Sequence, residues 1–310
     1  MRLPSTGESC LDTWIQWHVK YGTLPKTRKG YYQTASLIIR TFRTLGRSDL
    51  PHKWTADDVL AIRRHWQDSG LSVKTQKGYD FVLCAFATYF HNNLSAKTKT
   101  RWPHDPRKNA DWLTLDQIKA VLSTPMHPLE DICIHLMLCM GLRRVEVIRL
   151  RVEDIHADAP RPHIIVDGKG HKHRMVPFNW STPIVLSRYL TYRSELSVQA
   201  TRKAKHNNRR PFDSGHLIVY QRDGKLSPYS ELHPNGFDAA VTNAVSNRCS
   251  IKFSAHTLRR SFARELYYRD DGIDIVTLSM ILGHERPDET LAYIGPDHRR
   301  MADWMIKTSY

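Results

Sequence analysis

The C-terminal part of the sequence carries side chains that could cleave a phosphodiester. A His-x-x-Arg pair, His256 and Arg259, is followed by His284 in a Leu-Gly-His sequence and then by Tyr293. A tyrosine can act as a nucleophile, and arginines can stabilise the charge that develops on phosphate oxygens. His284 comes 25 residues after Arg259, and Tyr293 nine residues after His284. This order of residue types indicates a phosphoryl-transfer site.

Two upstream segments, GLRRVEVIRL from Gly141 and DGKGHKHRMVPF from Asp167, add charged side chains. The planar guanidinium of Arg143 matches a pair of phosphate oxygens, and Glu146 falls three residues later on the same helical face, where it could orient Arg143. Lys169 lies in the turn of a predicted hairpin and could protonate a leaving oxygen. The neighbouring alternatives to Arg143 and Lys169 are Arg144, Lys172 and Arg174.

Tyr293 is a nucleophile only if its surroundings stabilise the phenolate, because the ordinary pKa of a tyrosine is about 10. The chain contains 13 tyrosines, so residue type alone does not identify one of them. The position after Leu-Gly-His favours Tyr293 over the alternatives Tyr267, Tyr268 and Tyr310. A half-buried tyrosine that packs on Leu291 and Ile294 is the structural alternative.

The ordered set GLR, GKG, HxxR, LGH and Tyr resembles that of the tyrosine site-specific recombinases, which include the Xer and Cre proteins and the phage and plasmid integrases. The resemblance covers Trp112 to the C-terminus. It implies that Tyr293 forms a 3′-phosphotyrosyl intermediate while Arg143, Arg259 and His284 stabilise the transition state. By the same resemblance, His256 assists proton transfer or holds the phosphate, and Lys169 protonates the leaving 5′-oxygen.

The resemblance also implies an architecture. We expect a mainly α-helical chain with a small β-sheet, in which a helical core-binding (SAM-like) domain at 1–95 and a basic linker at 96–110 precede a catalytic domain at 111–310. Four protomers would act on two DNA duplexes through a Holliday junction, with accessory DNA-bending or regulatory proteins as further partners. The segment after Tyr293 could pack on a neighbouring protomer or within its own subunit.

The charge of the chain supports a polyanionic partner. The formal net charge is +15, and residues 1–110 carry 18 Lys and Arg against 8 Asp and Glu. Such an excess favours nucleic acid over a membrane surface. A basic surface that meets only solvent is the alternative interpretation.

Amphipathic spacing predicts four helices in the first hundred residues. Ser9, Thr55 and Ser72 are the predicted N-caps of three of them. On the second helix, Arg40, Arg43 and Arg47 are predicted to share one face. Other predicted DNA-binding residues are Lys74 and Lys77 on the fourth helix and Lys97, Lys99 and Arg101 in the linker.

The second part of the chain alternates helices with one clear hairpin. A capped helix is expected from Thr114, and a helix from Leu129 to Met140 is expected to continue into RRVEVIRL. Strands at His163–Asp167 and Arg174–Phe178 flank the Gly-Lys-Gly turn. Residues 182–198 are predicted to be helical, HLIVY a strand, and the basic segment Ala200–Gly215 a loop.

The sequence lacks the residue patterns that are typical of several functional classes. The five cysteines form no C-x-x-C pair, and there is no arranged set of carboxylates for a two-metal nuclease and no Walker-type glycine loop. We therefore expect neither a metal nor another cofactor. The N-terminal MRLPSTGESCLD lacks an apolar signal-peptide region, so a cytoplasmic location is expected. The alternative functions are a type IB topoisomerase, which shares the chemistry without a Leu-Gly-His sequence, and a catalytically silent DNA-binding protein.

Overall fold

The structure is a computed structural model that describes residues 4–94, 98, 102, 111–168, 172–229, 236–269, 271–295 and 305. The chain divides into two compact units, Met1–Arg107 and Lys108–Tyr310. Most of the predicted linker at 96–110 lies outside the described residues, so the predicted domain boundaries stay a prediction. The candidate residues outside the described part are Lys97, Lys99, Arg101 and Lys169, together with Tyr310, the alternative to Tyr293.

The first unit is helical. Its helices are α1 (Gly7–Lys20), α2 (Pro25–Thr44), α3 (Ala56–Asp68) and α4 (Val73–Tyr89), with a 3₁₀ turn at Pro51–Lys53. Thr55 and Ser72 cap α3 and α4 as predicted, since each side chain accepts a hydrogen bond from a first-turn amide. The predicted cap at Ser9 is wrong, because Thr6 accepts the hydrogen bond from the Ser9 amide and α1 begins at Gly7.

Large aromatic side chains form the core of the first unit. Trp14, Phe42, Trp66 and Phe86 are buried, and the rings of Trp14 and Phe86 lie 5.0 Å apart. Burial of such rings removes a large apolar area from water and is the main stabilising contribution to a small helical unit. This core leaves the opposite helix faces to polar and basic residues.

The second unit combines helices with two small sheets. Its helices are α5 (Leu115–Ser123), α6 (Pro128–Leu138), α7 (Arg144–Arg149), α8 (Thr182–His206), α9 (Asn243–Arg248), α10 (Ala255–Tyr268), α11 (Ile275–Leu282) and α12 (Pro287–Ile294), with a 3₁₀ turn at Val152–Asp154 and a π-helical turn at Asp238–Thr242. Its strands are β1 (Ile155–His156), β2 (His163–Asp167), β3 (His173–Pro177), β4 (Phe212–Asp213), β5 (Val219–Arg222) and β6 (Lys225–Pro228).

The first sheet has the order β1-β2-β3 and is antiparallel throughout. Asp167 pairs with His173, so the predicted hairpin is confirmed, while Lys169 itself lies outside the described residues. The second sheet has the order β4-β6-β5, and the sequence predicted only its strand β5. The prediction of a mainly α-helical chain with a small sheet component is confirmed.

Three sequence predictions about helix boundaries are wrong. α2 ends at Thr44, so Arg47 does not share a helix face with Arg40 and Arg43. α8 continues to His206, so the first part of the basic segment Ala200–Gly215 is helical, because Ala200 and Ala204 are buried against β5 and β6. The chain also breaks between α6 and α7, where Gly141 adopts a φ of +69°.

Candidate active site

The His-x-x-Arg pair lies in the first turn and a half of α10. Ser254 caps this helix by accepting a hydrogen bond from the Thr257 amide. His256 is exposed, whereas Arg259 is only 1% exposed. The Arg259 guanidinium donates hydrogen bonds to the carbonyl oxygens of Gly141 and Leu282. The arginine therefore joins the GLR loop to the end of α11.

Gly141 is required by this arrangement. Its φ of +69° lies in the left-handed region, and a Cβ atom at this position would overlap the ring of Phe262 on α10. The close approach lets the Gly141 carbonyl reach Arg259. The glycine of the GLR sequence thus has a packing function beside the catalytic candidates.

Arg143 and Glu146 contact each other as predicted. Arg143 is the N-cap residue of α7, and both its amide and its guanidinium donate to the Glu146 carboxylate at 2.7 Å. The guanidinium also donates to the Gly283 carbonyl at 3.2 Å. Glu146 therefore orients Arg143 toward the Leu-Gly-His segment.

Arg174 of β3 is a member of this network that the sequence suggested only as an alternative to Lys169. Its guanidinium donates two hydrogen bonds to Glu146, at 2.9 and 2.8 Å, and its Nε donates to the Ile281 carbonyl at 2.8 Å. Arg174 alternates with outward-facing His173 and Met175 and shares a strand face with buried Val176. This alternation of outward-facing and inward-facing residues along β3 is the sequence signal that could have identified Arg174 as inward-facing.

The buried carboxylate of Glu146 is the counter-charge for three guanidinium groups, those of Arg143, Arg174 and Arg259. Its side chain is 5% exposed, and its carboxylate lies 3.6 Å from the Arg259 guanidinium. Burial alone would raise the pKa of Glu146, but the hydrogen bond and charge of Arg174, with those of its other partners, lower it to about 2. Glu146 is therefore ionised at neutral pH.

Glu146→Gln is expected to destabilise the second unit by about 3–5 kcal/mol, because it leaves buried guanidinium groups without a counter-charge. The ordinary pKa of the carboxyl is near 4.5 and the folded value is lower. Its stabilisation is therefore present above pH 4.5 and is lost as the pH falls toward 2, in total about 3 kcal/mol. Denaturant unfolding at pH 7, 4.5 and 3 measures both effects. Equal unfolding free energies of wild type and variant at pH 7 would contradict the assignment.

His284 follows the left-handed Gly283, which ends α11 at a φ of +64°. Its Nδ1 lies 2.8 Å from Thr290 Oγ1, and its Nε2 lies 3.5 Å from an Arg259 nitrogen. Burial, together with the charges of Arg259 and Arg143, lowers the pKa of His284 to about 4. Burial and the neighbouring arginines also lower the pKa of His256. The lowered pKa of each histidine therefore favours the neutral form of both imidazoles.

Tyr293 lies on α12 between the two histidines. Its ring centroid is 5.1 Å from that of His256 and 5.3 Å from that of His284. Its hydroxyl lies 3.5 Å from the His256 carbonyl oxygen. Burial raises the pKa of Tyr293, while the charges of Arg259 and Arg260 act to lower it. The alternative, that Tyr293 is a structural tyrosine packed on Leu291 and Ile294, holds only in part, since Ile294 is buried and Leu291 is exposed.

Arg260 follows Arg259 on α10. Its guanidinium lies over the Tyr293 ring, 4.9 Å from the centroid. A cation over an aromatic face is attracted by the ring electrons. Arg260 therefore adds positive charge next to the candidate nucleophile, and the sequence signal for it was its place directly after Arg259.

A cleft of about 600 Å³ opens among these side chains. Its lining includes Arg143, Arg144, His256 and Arg259, together with the π-helical turn. Arg144 forms an ion pair with Asp238 of that turn, whereas Arg143 remains directed at Glu146 and Gly283. Both arginines are ion-paired, but only Arg143 also contacts Gly283, next to His284, and this contact favours Arg143 over Arg144 as the guanidinium that holds the phosphate.

The basic candidates of the first unit differ in their surroundings. Arg43 is held by Glu8 and Asp49, and Arg47 by Asp58. The remaining candidates among the described residues are Arg40, Lys74 and Lys77, which are exposed. Lys74 and Lys77 share one face of α4, and none of the described carboxylates forms an ion pair with them.

The described residues contain no group of three or more His, Cys, Asp or Glu side chains that could hold a metal ion. In the same part of the chain, no helix has the length and apolar character to cross a membrane.

Comparison with known sequences gives consistent matches. The model of the phage integrase family matches residues 111–300. The chain is 26% identical over 242 residues to tyrosine recombinase XerA of Pyrococcus horikoshii, covering 77% of this chain and 75% of the relative. It is 22% identical over 302 residues to tyrosine recombinase XerD of Listeria innocua, covering 92% and 93%.

Solved structures share the fold. The XerH site-specific recombinase bound to its difH substrate matches with a TM-score of 0.64 at 19% identity, over 97% of this chain and 84% of that chain. A lambda integrase fragment bound to a COC′ core site matches with a TM-score of 0.64 at 18% identity, over 94% and 96%.

Proposed function

The chain belongs to the phage integrase family of tyrosine recombinases and is a site-specific DNA recombinase, and from this premise we propose that Tyr293 is its nucleophile. The phenolic oxygen attacks the scissile phosphorus and forms a 3′-phosphotyrosyl link, while the bond to the 5′-oxygen breaks. The observation that carries the proposal is the position of Tyr293 between two imidazoles that are disposed to be neutral and beside two guanidinium groups. These groups can accept a proton and stabilise a phenolate.

Arg143 and Arg259 hold the phosphate charge in this proposal. Both guanidinium groups line the same cleft, and both are fixed by carbonyl oxygens and by Glu146 before any substrate enters. Preorganised donors stabilise a developing charge without having to reorient during the reaction. Arg259 therefore contributes to the transition state more than to ground-state binding.

Proton transfers complete the reaction. A neutral imidazole, His284 or His256, accepts the proton of the attacking phenol, and Lys169 donates a proton to the leaving 5′-oxygen. Lys169 comes two residues after Asp167, the last residue of β2, and the neighbouring Arg174 anchors β3 to Glu146. Attack by the 5′-hydroxyl of a partner strand on the phosphotyrosyl link then restores the DNA backbone and frees Tyr293.

DNA is the partner of the chain, and we propose a homotetramer on two duplexes as the complex that exchanges strands. The relatives and structural neighbours that support a DNA partner include recombinases bound to DNA. The segment after Tyr293 is the proposed contact between protomers, and accessory DNA-bending proteins are proposed to act on the assembled complex.

The test is covalent trapping on nicked duplexes taken from the genomic or plasmid neighbourhood of the gene. A nick beside the scissile phosphate lets the short 5′-hydroxyl fragment dissociate, so the phosphotyrosyl link accumulates. We expect a denaturant-resistant adduct that carries the label of the strand whose 3′ end was cleaved, and a modified peptide that contains Tyr293. DNA binding without an adduct would indicate a silent binding protein, and relaxation of any supercoiled plasmid would indicate a topoisomerase.

The exposed lysines of α4 are expected to contact DNA phosphates. Lys74→Gln combined with Lys77→Gln should weaken binding and reduce the slope of log K against log salt by about 2, because each phosphate contact releases about one counterion. Binding titrations across a range of salt concentrations measure the slope. Arg43→Gln is the comparison, and a smaller change is expected because Glu8 and Asp49 already hold that guanidinium. An unchanged slope in the double variant would exclude this face from the DNA contact.

A further inference from the structure

Two buried hydroxyl groups lie behind His284, on the side away from Arg259. Thr290 of α12 is 0% exposed and Ser279 of α11 is 4% exposed. Their oxygens are 2.8 Å apart, and Thr290 Oγ1 is 2.8 Å from His284 Nδ1. Neither hydroxyl lines the cleft of the candidate active site, so neither takes a direct part in the proposed cleavage reaction.

The direction of these hydrogen bonds follows from the fact that each hydroxyl has one proton. Ser279 donates its proton to the Ile275 carbonyl at 2.7 Å. Ser279 can therefore only accept from Thr290, and Thr290 must donate to it. Since the Thr290 proton is then in use, Thr290 Oγ1 accepts a hydrogen bond, and the donor is Nδ1–H of His284.

We infer that Thr290 and Ser279 are positioning residues that hold neutral His284 as its Nδ1–H tautomer, so that Nε2, on the Arg259 side of the ring, is unprotonated and can accept the proton of the attacking phenol. The inference rests on the proposed function, since it concerns how His284 serves the attack by Tyr293. As the phenolic oxygen bonds to phosphorus, its proton moves to Nε2. The 5′-oxygen leaves with the proton of Lys169.

Other contacts of these residues agree with such a role. The Ser279 carbonyl accepts the His284 amide hydrogen bond at 3.0 Å, so Ser279 fixes the backbone of His284 as well as its ring. Thr290 lies three residues before Tyr293 on α12 and therefore on the same helical side. One short helix thus sets both the tautomer of the histidine and the position of the nucleophile.

The charged and titratable groups around His284 make the neutral form dominant. The charged groups that act on His284 are Arg259 of α10, Arg143 before α7, Arg174 of β3 and Glu146 of α7, and the titratable Tyr293 of α12 packs its ring against the imidazole. Burial, followed by the charges of the three arginines, outweighs Glu146 and lowers the pKa of His284 to about 4. A neutral imidazole carries one proton on either nitrogen, and the hydrogen bond made by one nitrogen decides which.

The first test reads the tautomer directly and needs no DNA. In protein labelled with ¹⁵N-histidine, two-bond nitrogen–proton correlations distinguish Nδ1–H from Nε2–H, and His284→Asn identifies the signal. We expect Nδ1–H in the wild type and in Thr290→Ser, and a shift toward Nε2–H in the isosteric Thr290→Val. Ser279→Ala frees the Thr290 proton to point at Nδ1, so it should shift the signal in the same direction. An Nε2–H wild type, or a signal that Thr290→Val leaves unchanged, would overturn the inference.

The second test measures single-turnover formation of the covalent adduct on the duplex that traps it. Thr290→Val is expected to slow adduct formation by about 10- to 100-fold, which is in the lower range for loss of proton-transfer catalysis. Thr290→Ser should keep the rate and DNA affinity of the wild type, which a purely packing role of the Thr290 methyl group would not allow. If Thr290→Val reacts at the wild-type rate, the inference fails while the function of Tyr293 stands. If the wild type forms no adduct, the proposed function fails and the tautomer measurement still decides the structural claim.

Discussion

Tyr293→Phe is expected to abolish the covalent protein–DNA adduct, with a loss of at least about 10⁴-fold in the rate of cleavage, while DNA binding persists. The variant removes only the attacking oxygen. That oxygen donates a long hydrogen bond of 3.5 Å to the His256 carbonyl and lies near the Arg259 guanidinium, while the ring itself packs between His256 and His284 and can keep its place without the hydroxyl. Adduct formation on nicked duplexes and a gel-shift titration measure the two properties separately.

Tyr267→Phe is the matched control for this experiment. Tyr267 lies on α10, where its ring packs against that of Tyr268. We expect it to form the adduct at nearly the wild-type rate. An adduct that persists in Tyr293→Phe would show that another tyrosine is the nucleophile, and Tyr268→Phe and Tyr310→Phe would then be compared. Loss of DNA binding in Tyr293→Phe would instead point to a structural role of the hydroxyl.

Arg259→Lys is expected to lower the rate of cleavage by about 10²–10³-fold. The guanidinium of Arg259 reaches two carbonyl oxygens and still lines the cleft, and an ammonium group cannot copy this planar set of donors. Burial lowers the pKa of Arg259 to about 10, and the charge of Arg143 acts in the same direction. A lysine at this buried position would have a still greater tendency to lose its proton. Single-turnover cleavage at saturating protein measures the effect.

Thermal unfolding and DNA affinity distinguish lost chemistry from lost structure in this variant. Arg188→Lys is the control, because Arg188 forms an exposed ion pair with Asp131 away from the cleft. It should change neither the rate nor the stability appreciably. A cleavage rate for Arg259→Lys within about threefold of wild type would exclude the proposed preorganised clamp.

The sequence alone determined those helix ends, and the one hairpin, that depend only on residues close together in the chain. Thr55, Ser72, Thr114 and Ser254 cap helices as their residue types predict. Gly283 ends α11 because a glycine adopts the left-handed conformation at no steric cost. The β2–β3 hairpin follows from β-prone runs on both sides of Gly-Lys-Gly.

Boundaries that depend on distant partners could not be predicted in this way. The basic segment after Ala200 has the composition of a loop, yet it continues α8 because buried alanines pack against strands that come later in the chain. Likewise Arg43 and Arg47 have the spacing of a DNA-binding face, but carboxylates from other segments pair with them. Helical periodicity within one segment records neither kind of contact, because the partners lie outside the helix concerned, in α1, in the loop after α2, in α3 or in the strands β5 and β6.

For the active site, the sequence by itself determined which residue types occur and in what order, and thereby the family and the candidate nucleophile. Only the tertiary structure decided how they act together. It placed Arg174 on Glu146, Arg260 over Tyr293, and Thr290 and Ser279 behind His284. The physical reason is that a charge state, a tautomer or a donor direction depends on the atoms within a few ångströms. Those atoms come from α7, β3, α10, α11 and α12, which only folding brings together.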